Sequence, residues 1–199
     1  MIYFTADLHF GDATVLGGGQ RPFATVQHMN DALIDGINER VIPRDTLYIL
    51  GDFACGLSAR EVERLRARIA CKHIRLVLGN HDDALAAPEL AGLFERIADY
   101  EEILPGYFHG ARAILSHYPM LSWNGKRRGS IMLHGHIHSS GTAYNRANRD
   151  RGVLRYDVGV DANGYAPVSR DEVLAFFKGA KPRNVAFSLE DGQFAQAFE

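Results

Sequence analysis

The sequence predicts an α/β fold, on three observations. Short apolar runs at Ile2 to Ala6, Leu47 to Leu50 and Ile74 to Leu78 each break off at Asp, Asn or His. Segments with apolar residues at helical spacing separate them, so the order is strand then helix, repeated, and the first sheet is expected to be largely parallel. Past Tyr100 the pattern changes to strands punctuated by turns, which predicts a second sheet packed face to face on the first, with helices outside. No internal repeat, linker or low-complexity segment interrupts the 199 residues, and a single domain over 1–199 is expected.

The first strand ends in Asp7-Leu8-His9-Phe10-Gly11. Residues i and i+2 of an extended segment point the same way, so Asp7 and His9 can approach one point. Gly17 to Gly19 predicts a mobile loop whose far end Arg21-Pro22-Phe23 fixes. From Val26 to about Val41, Met29, Leu33, Ile34, Ile37 and Val41 recur at helical spacing, and Pro43 follows the end. Leu47 to Leu50 runs directly into Gly51-Asp52-Phe53. Ser58 with Glu61 reads as a capping box for a helix through about Ala70, with Arg60, Arg64, Arg66 and Arg68 on its solvated face. Ile74 to Leu78 ends in Gly79-Asn80-His81-Asp82, and a third helix is expected over Pro88 to Ile97.

In the second half, Glu101 to Leu104 and Ala111 to Ser116 flank a Pro105-Gly106 turn and read as paired strands. Ser130 to Leu133 and Val153 to Val160 are further strands. Val168-Ser169 opens a helix through Phe177, with Asp171 and Glu172 in the first turn that favours acids. The tail, Asn184 to Leu189 and Gln193 to Phe198, reads as a hairpin turning at Asp191-Gly192.

Composition narrows the function. A hydrophobic fraction of 46% and a charged fraction of 23% are those of a soluble globular protein. No apolar run approaches the roughly 20 residues that span a bilayer. Met1 is followed by no basic segment or cleavage site, so a cytoplasmic protein without a membrane or an obligate protein partner is expected. Cys55 and Cys71 are too few for a disulfide framework and are expected to be reduced. A net charge of -2 argues against a protein that coats nucleic acid. It leaves a nucleotide or a nucleic-acid end open as substrate, because a bound metal brings its own positive charge.

The chemistry lies in the strand ends and above all in Ile131 to His138, where His134, His136 and His138 alternate around Gly135. Closely spaced imidazoles are hard to satisfy in a core, and a metal ion satisfies several at once. Asp7, His9, Asp52, Asn80, His117, His136 and His138 supply two carboxylates, an amide oxygen and four imidazoles, enough for two divalent ions, with His81 left over. Such mixed oxygen and nitrogen sets suit manganese, iron or zinc. A carboxylate such as Asp52 can bridge two ions.

The ordered series Asp7-x-His9, Gly51-Asp52, Gly79-Asn80-His81-Asp82, His117 and Gly135-His136-x-His138 resembles the calcineurin-like metallophosphoesterase superfamily. Arg21-Pro22-Phe23, Ser116 to Pro119, and Asp157 to Asp161 before Pro167 to Ser169 are similar to its small bacterial and phage branch. The resemblance implies a four-layer α/β/β/α sandwich. It implies one metal on Asp7, His9, Asp52 and His138 and a second on Asp52, Asn80, His117 and His136. Manganese leads the choice among manganese, iron, zinc and nickel. His81 would be the general acid of a phosphoesterase in which a hydroxide between the ions attacks phosphorus, with Asp82 as a neighbour to orient it. The substrate would be a small phosphate ester, a nucleotide or a nucleic-acid end, with phosphodiesters ahead of phosphomonoesters. A catalytically idle, metal-stabilised interaction module is the reading from another class, and its usual mark, a lost His81 or metal ligand, is missing here.

Two positions depart from the family pattern. Asp12 stands where many members of the branch have histidine, and an acid touching substrate there would repel phosphate. Phe53-Ala54-Cys55 stands where many members carry arginine or aspartate, and Cys55 is read as a small buried side chain. His134 is read as a packed histidine, and His28, His73 and His109 as surface residues. Asp157 and Asp161 are either hydrogen-bonded supports of the ligands or ordinary turn aspartates. Lys126, Arg127 and Arg128, with Arg146, Arg149 and Arg151, are either phosphate clamps, with Trp123 or Tyr144 as a stacking surface, or solvated loop charge.

Overall fold

In the computed structural model residues 1–19, 21–82, 85, 90 and 92–182 are described. They form two mixed sheets with helices on the outer faces. In the first sheet β1 (Ile2–Thr5), β2 (Thr46–Leu50), β3 (His73–Val77) and β4 (Arg96–Ala98) are parallel, and β9 (Val168–Ser169) pairs antiparallel with β1, giving the order β4-β3-β2-β1-β9. The second sheet has the order β5-β6-β7-β8, from Glu101–Ile103, Ala113–Leu115, Ile131–His134 and Arg155–Asp157.

Strand alternation makes the layers. Leu47 and Ile49 of β2, with Ile74 and Leu76 of β3, face outward into a core with Met29, Leu33, Ile34 and Ile37 of α1 (Val26–Arg40) and Val62 of α2 (Ala59–Arg68). Tyr48, Leu50 and Val77 face the other way and meet Ala113, Leu115, Ile131 and Leu133 between the sheets, joined by Val173 of α4 (Arg170–Phe176). On the far face of the second sheet Ile114 and Met132 pack with Trp123, and α3 (Ala143–Asp150) lies against β8. Among the described residues no helix is long and apolar enough to cross a membrane.

Helix starts follow local chemistry. Thr25 accepts the His28 N–H at the start of α1, and reciprocal capping boxes, Ser58 with Glu61 and Ser169 with Glu172, open α2 and α4.

Three expectations change. The glycine run is not an open loop: Thr14–Gly19 forms a 3-10 segment, begun by the Thr14 N–H and hydroxyl donating to Asp12 Oδ1. The end of the helix expected over Pro88 to Ile97 is strand β4 instead, because Ile97 joins the ladder opposite Leu76; residues 83, 84, 86–89 and 91 lie outside the described residues. In the second sheet only β5 and β6 pair antiparallel, whereas β6, β7 and β8 are parallel and need crossovers. One crossover carries α3, which has no apolar stripe: its buried residues are Asn145 and Asn148, and the Asn145 amide exchanges two hydrogen bonds with the Asp157 backbone. The expected C-terminal hairpin lies outside the described residues.

Ile49 is fully buried in the central ladder. Ile49→Ala is expected to cost about 2–5 kcal/mol, read as a lower urea midpoint at unchanged slope.

Candidate metal centre

The parallel strands of both sheets deliver their carboxyl ends to one edge. Backbone bonds sew the loops there together: Asp7 N–H donates to Gly51 O, His9 N–H to Asp52 O, and Gly135 N–H to His117 O, all within 3.0 Å. The local backbone is unusual. Among the described residues seven non-glycines have positive φ, and five are Asp7 (57°), His9 (50°), Asp52 (54°), His136 (74°) and His138 (45°). Each such residue costs about 1–3 kcal/mol and persists only where its surroundings impose it. The left-handed turn swings each side chain off the strand's alternation and toward the common edge. Gly51 (φ 92°) must be glycine, since a Cβ would sit 2.2 Å from His117 Nδ1; at Gly79 a Cβ would sit 2.3 Å from Asp52 Oδ1.

Asp7, His9, Asp52 and His138 form one cluster, with a ligand atom of each within 4.8 Å of the others. Asp7 is fully buried, and burial pushes its carboxyl up to about 6 even though His138 and the His136 N–H pull it down. His9 Nδ1 bonds Asp12 Oδ2 at 3.0 Å, which leaves Nε2 buried without a partner and aimed at Asp52. His138 Nδ1 bonds Asp161 Oδ2 at 2.9 Å, so its Nε2 is likewise left for the cluster. Burial lowers the His138 pKa, but Asp161 and Asp7 outweigh it and the net shift is upward.

A second group meets beside the first. His117 Nδ1 donates to Leu50 O at 2.9 Å, and its Nε2 lies 3.0 Å from Asn80 Oδ1 and 3.2 Å from His136 Nδ1. Asn80 Oδ1 is also 3.0 Å from His136 Nδ1. Asp52 Oδ2 stands between the groups, 3.4 Å from both His9 Nε2 and His117 Nε2. Burial raises the Asp52 carboxyl, but the adjoining His117 and His9 rings and the hydrogen bond from the His81 N–H reverse this and keep it ionised.

The buried Asp7 carboxylate and the orphaned His9 nitrogen fit a divalent cation, which would relieve both. Two histidines are backed by carboxylates, the usual arrangement for imidazole ligands. Asp12, in doubt from the sequence, turns to His9 and Thr14. Asp161 is locked by Arg21, whose Nε and Nη2 both lie 2.8 Å from its carboxylate; Nη2 and Nη1 also hold the Asp7 and Leu8 carbonyls. Arg21 is buried and was missed as a site residue, because the carboxylate it holds, Asp161, is 140 positions away in sequence. Asp157 holds Ser139 and Gly159 in the same edge. A cleft of about 700 Å³ lined by Thr14, Val15, Arg21, His138, Ser140, Asp161 and Tyr165 opens beside the first cluster.

Other expected site residues lie elsewhere or act differently. His81 is exposed at the edge. Asp82 does not reach its ring: the carboxylate is buried and accepts the backbone N–H groups of Asp52, Phe53 and Gly79. Cys55 is half-buried rather than buried, with Sγ 3.6 Å from His81 Nδ1. Trp123 offers no stacking surface; it is buried against Ile114 and Met132, with its N–H on Ser130 O. Tyr144 is taken up by His134 and Arg155. Arg127 and Arg128 lie in the 3-10 turn just before β7, at the amino end of that strand, opposite the edge where the ligands gather. His134 is fully buried, turned to Gly135 O and Tyr144, and burial holds its pKa down at about 3.

The fold and this edge are those of a metallophosphoesterase. The chain belongs to the calcineurin-like phosphoesterase family, whose model matches residues 1–178. An uncharacterized protein of Methanocaldococcus jannaschii is 29% identical over 181 residues, covering 90% of this chain and 93% of its own. The gene 66 protein of Mycobacterium phage D29 is 31% identical over 160 residues, covering 69% of this chain and 78% of its own. A solved structure, a protein of unknown function from Aquifex aeolicus, superposes with a TM-score of 0.66 at 26% identity, over 87% of this chain and 97% of that one.

Two outcomes follow for metal binding. Asp161→Asn keeps the shape but removes the charge behind His138, and metal affinity measured by titration calorimetry is expected to fall about 10–100-fold. Asp7, held up at about 6, and His117 and His138, both shifted upward, carry protons that a metal must displace. Affinity is therefore expected to drop as pH is lowered through about 7 to 5.5, with proton release on binding in that window. An affinity flat across that range would contradict the ligand set.

Proposed function

We propose that the protein is a dinuclear metal-dependent phosphoesterase that hydrolyses phosphodiesters in preference to phosphomonoesters. The observation that carries this reading is Asp52 Oδ2, equidistant at 3.4 Å from His9 Nε2 in one cluster and His117 Nε2 in the other. One ion would be held by Asp7, His9, Asp52 and His138, the second by Asp52, Asn80, His117 and His136. When bound, the pair supplies Lewis-acid activation of water and neutralises charge on the phosphoryl oxygens.

The chain's own residues do the rest. The Asp52 carboxylate, kept ionised by its neighbours, takes the His81 N–H at 2.9 Å and so fixes the backbone that carries the acid. His81 is exposed, free of both clusters, and stands over the edge with its ring against that of His9. From there its Nε2–H protonates the leaving oxygen as the phosphorus–oxygen bond breaks. A complete ligand set with His81 retained favours diesters: a nucleotide derivative, a cyclic nucleotide or a nucleic-acid end. Manganese is the preferred metal, and the cytoplasm the preferred compartment.

Purified protein loaded with manganese is expected to bind two ions per chain and to turn over bis-p-nitrophenyl phosphate faster than p-nitrophenyl phosphate. His81→Ala is expected to lose about 10²–10⁴-fold in kcat on an ester with a poor leaving group and far less on a p-nitrophenyl ester. No turnover of either ester with manganese, iron or nickel would sink the enzyme reading in favour of a metal-stabilised interaction module.

A further inference from the structure

A histidine that gives up its Nε2 proton in a defined direction needs its other nitrogen held, because the partner on Nδ1 sets both tautomer and ring angle. The obvious candidate carboxylates near His81 are already committed. Asp82 is spent on three backbone N–H groups. Asp52 receives the backbone N–H of His81 on Oδ1 and faces His9 and His117 with Oδ2. His9 packs against the His81 ring at an interplanar angle of 62°, a contact that supports the ring without bonding its nitrogen. What does face Nδ1, among the described residues, is Cys55 Sγ at 3.6 Å.

We propose that Cys55 is the positioning residue of His81, its sulfur accepting the Nδ1–H so that Nε2–H points at the leaving oxygen. This rests on the reading of His81 as general acid. The sulfur itself is well anchored: Cys55 N–H donates to Phe10 O at 3.0 Å, and Ala54 bridges Phe10, so the loop after β2 is tied to the loop after β1. Burial first, then Asp12, Asp52 and Asp82, push the thiol pKa up, so the partner is neutral. The proton balance is simple. One proton passes from His81 Nε2 to the leaving oxygen, the Nδ1 proton stays in place, and the Cys55 thiol neither gains nor loses one.

The test compares methyl phenyl phosphate, which needs an acid, with methyl p-nitrophenyl phosphate, which needs little help, on the manganese-loaded enzyme. Cys55→Ala is expected to lower kcat about five- to tenfold on the phenyl ester and under about twofold on the p-nitrophenyl ester, with metal content unchanged. Cys55→Ser, which restores an acceptor, is expected to recover most of the loss. Equal losses on both esters, or none on either, would overturn the proposal. So would a loss that Cys55→Ser does not recover. His81→Ala separates the two readings: if it discriminates between the esters and Cys55→Ala does not, only the positioning role falls. If His81→Ala itself fails to discriminate, the general-acid reading falls and the role of Cys55 with it.

Discussion

A carboxylate with no access to water stands at the carboxyl end of β1, and the surrounding structure answers to it. Asp7 is fully buried and its carboxyl is pushed up to about 6. Burying an ionised group without compensation costs several kcal/mol, so it has to be met by donors or by a cation. The His136 N–H provides part of the answer, and the orphaned His9 nitrogen nearby is a vacancy of the same kind. Two needs of the same sense, negative charge without a counterion and a lone pair without a proton, meet in one space. A divalent ion satisfies both.

Holding that space open requires strain, and the strain has visible supports. Left-handed backbone at five clustered residues is tolerated because the loops are bonded to one another as well as within themselves. Arg21 is the strongest of these ties. Its guanidinium holds the carbonyls of Asp7 and Leu8 on one side and the carboxylate of Asp161 on the other, joining the first strand's loop to the segment after β8. Burial raises the Asp161 carboxyl, but His138 and Arg21 overcome this and keep it charged. The buried ion pair thus acts through position: it fixes the ring that a metal would bind.

Much of this was readable in the chain. The strand ends were visible because short apolar runs stop abruptly at polar residues, and in a parallel sheet those ends gather on one edge. The supports were legible only in part: Asp161 could be read as backing a ligand, but not the arginine that locks it. Arg21 and Asp161 are 140 positions apart, and neither periodicity nor spacing reports a pair like that. Helix α3 was invisible for a related reason, since it docks through Asn145 and Asn148 rather than through an apolar stripe. Trp123 misled in the opposite sense: an aromatic beside arginines suggests a recognition surface, yet in three dimensions it fills a core under the second sheet. Ile97 followed helical spacing but was captured by ladder bonds, which outweigh a short stretch of propensity.

The two departures from the family pattern now make sense together. An acid at Asp12 threatened to repel phosphate, and Cys55 read as a small buried side chain. Neither side chain is used that way. Asp12 turns inward and takes the Nδ1 of His9, while Cys55 faces the Nδ1 of His81, and the two rings pack edge to face at 5.1 Å. The placement suits the charge of each. The acid stands behind a ring that offers its lone pair to the cluster, where negative charge raises basicity and improves a ligand. The thiol stands behind the ring left outside the clusters, where a carboxylate would add a negative charge near the path of an anionic ester and a neutral sulfur does not.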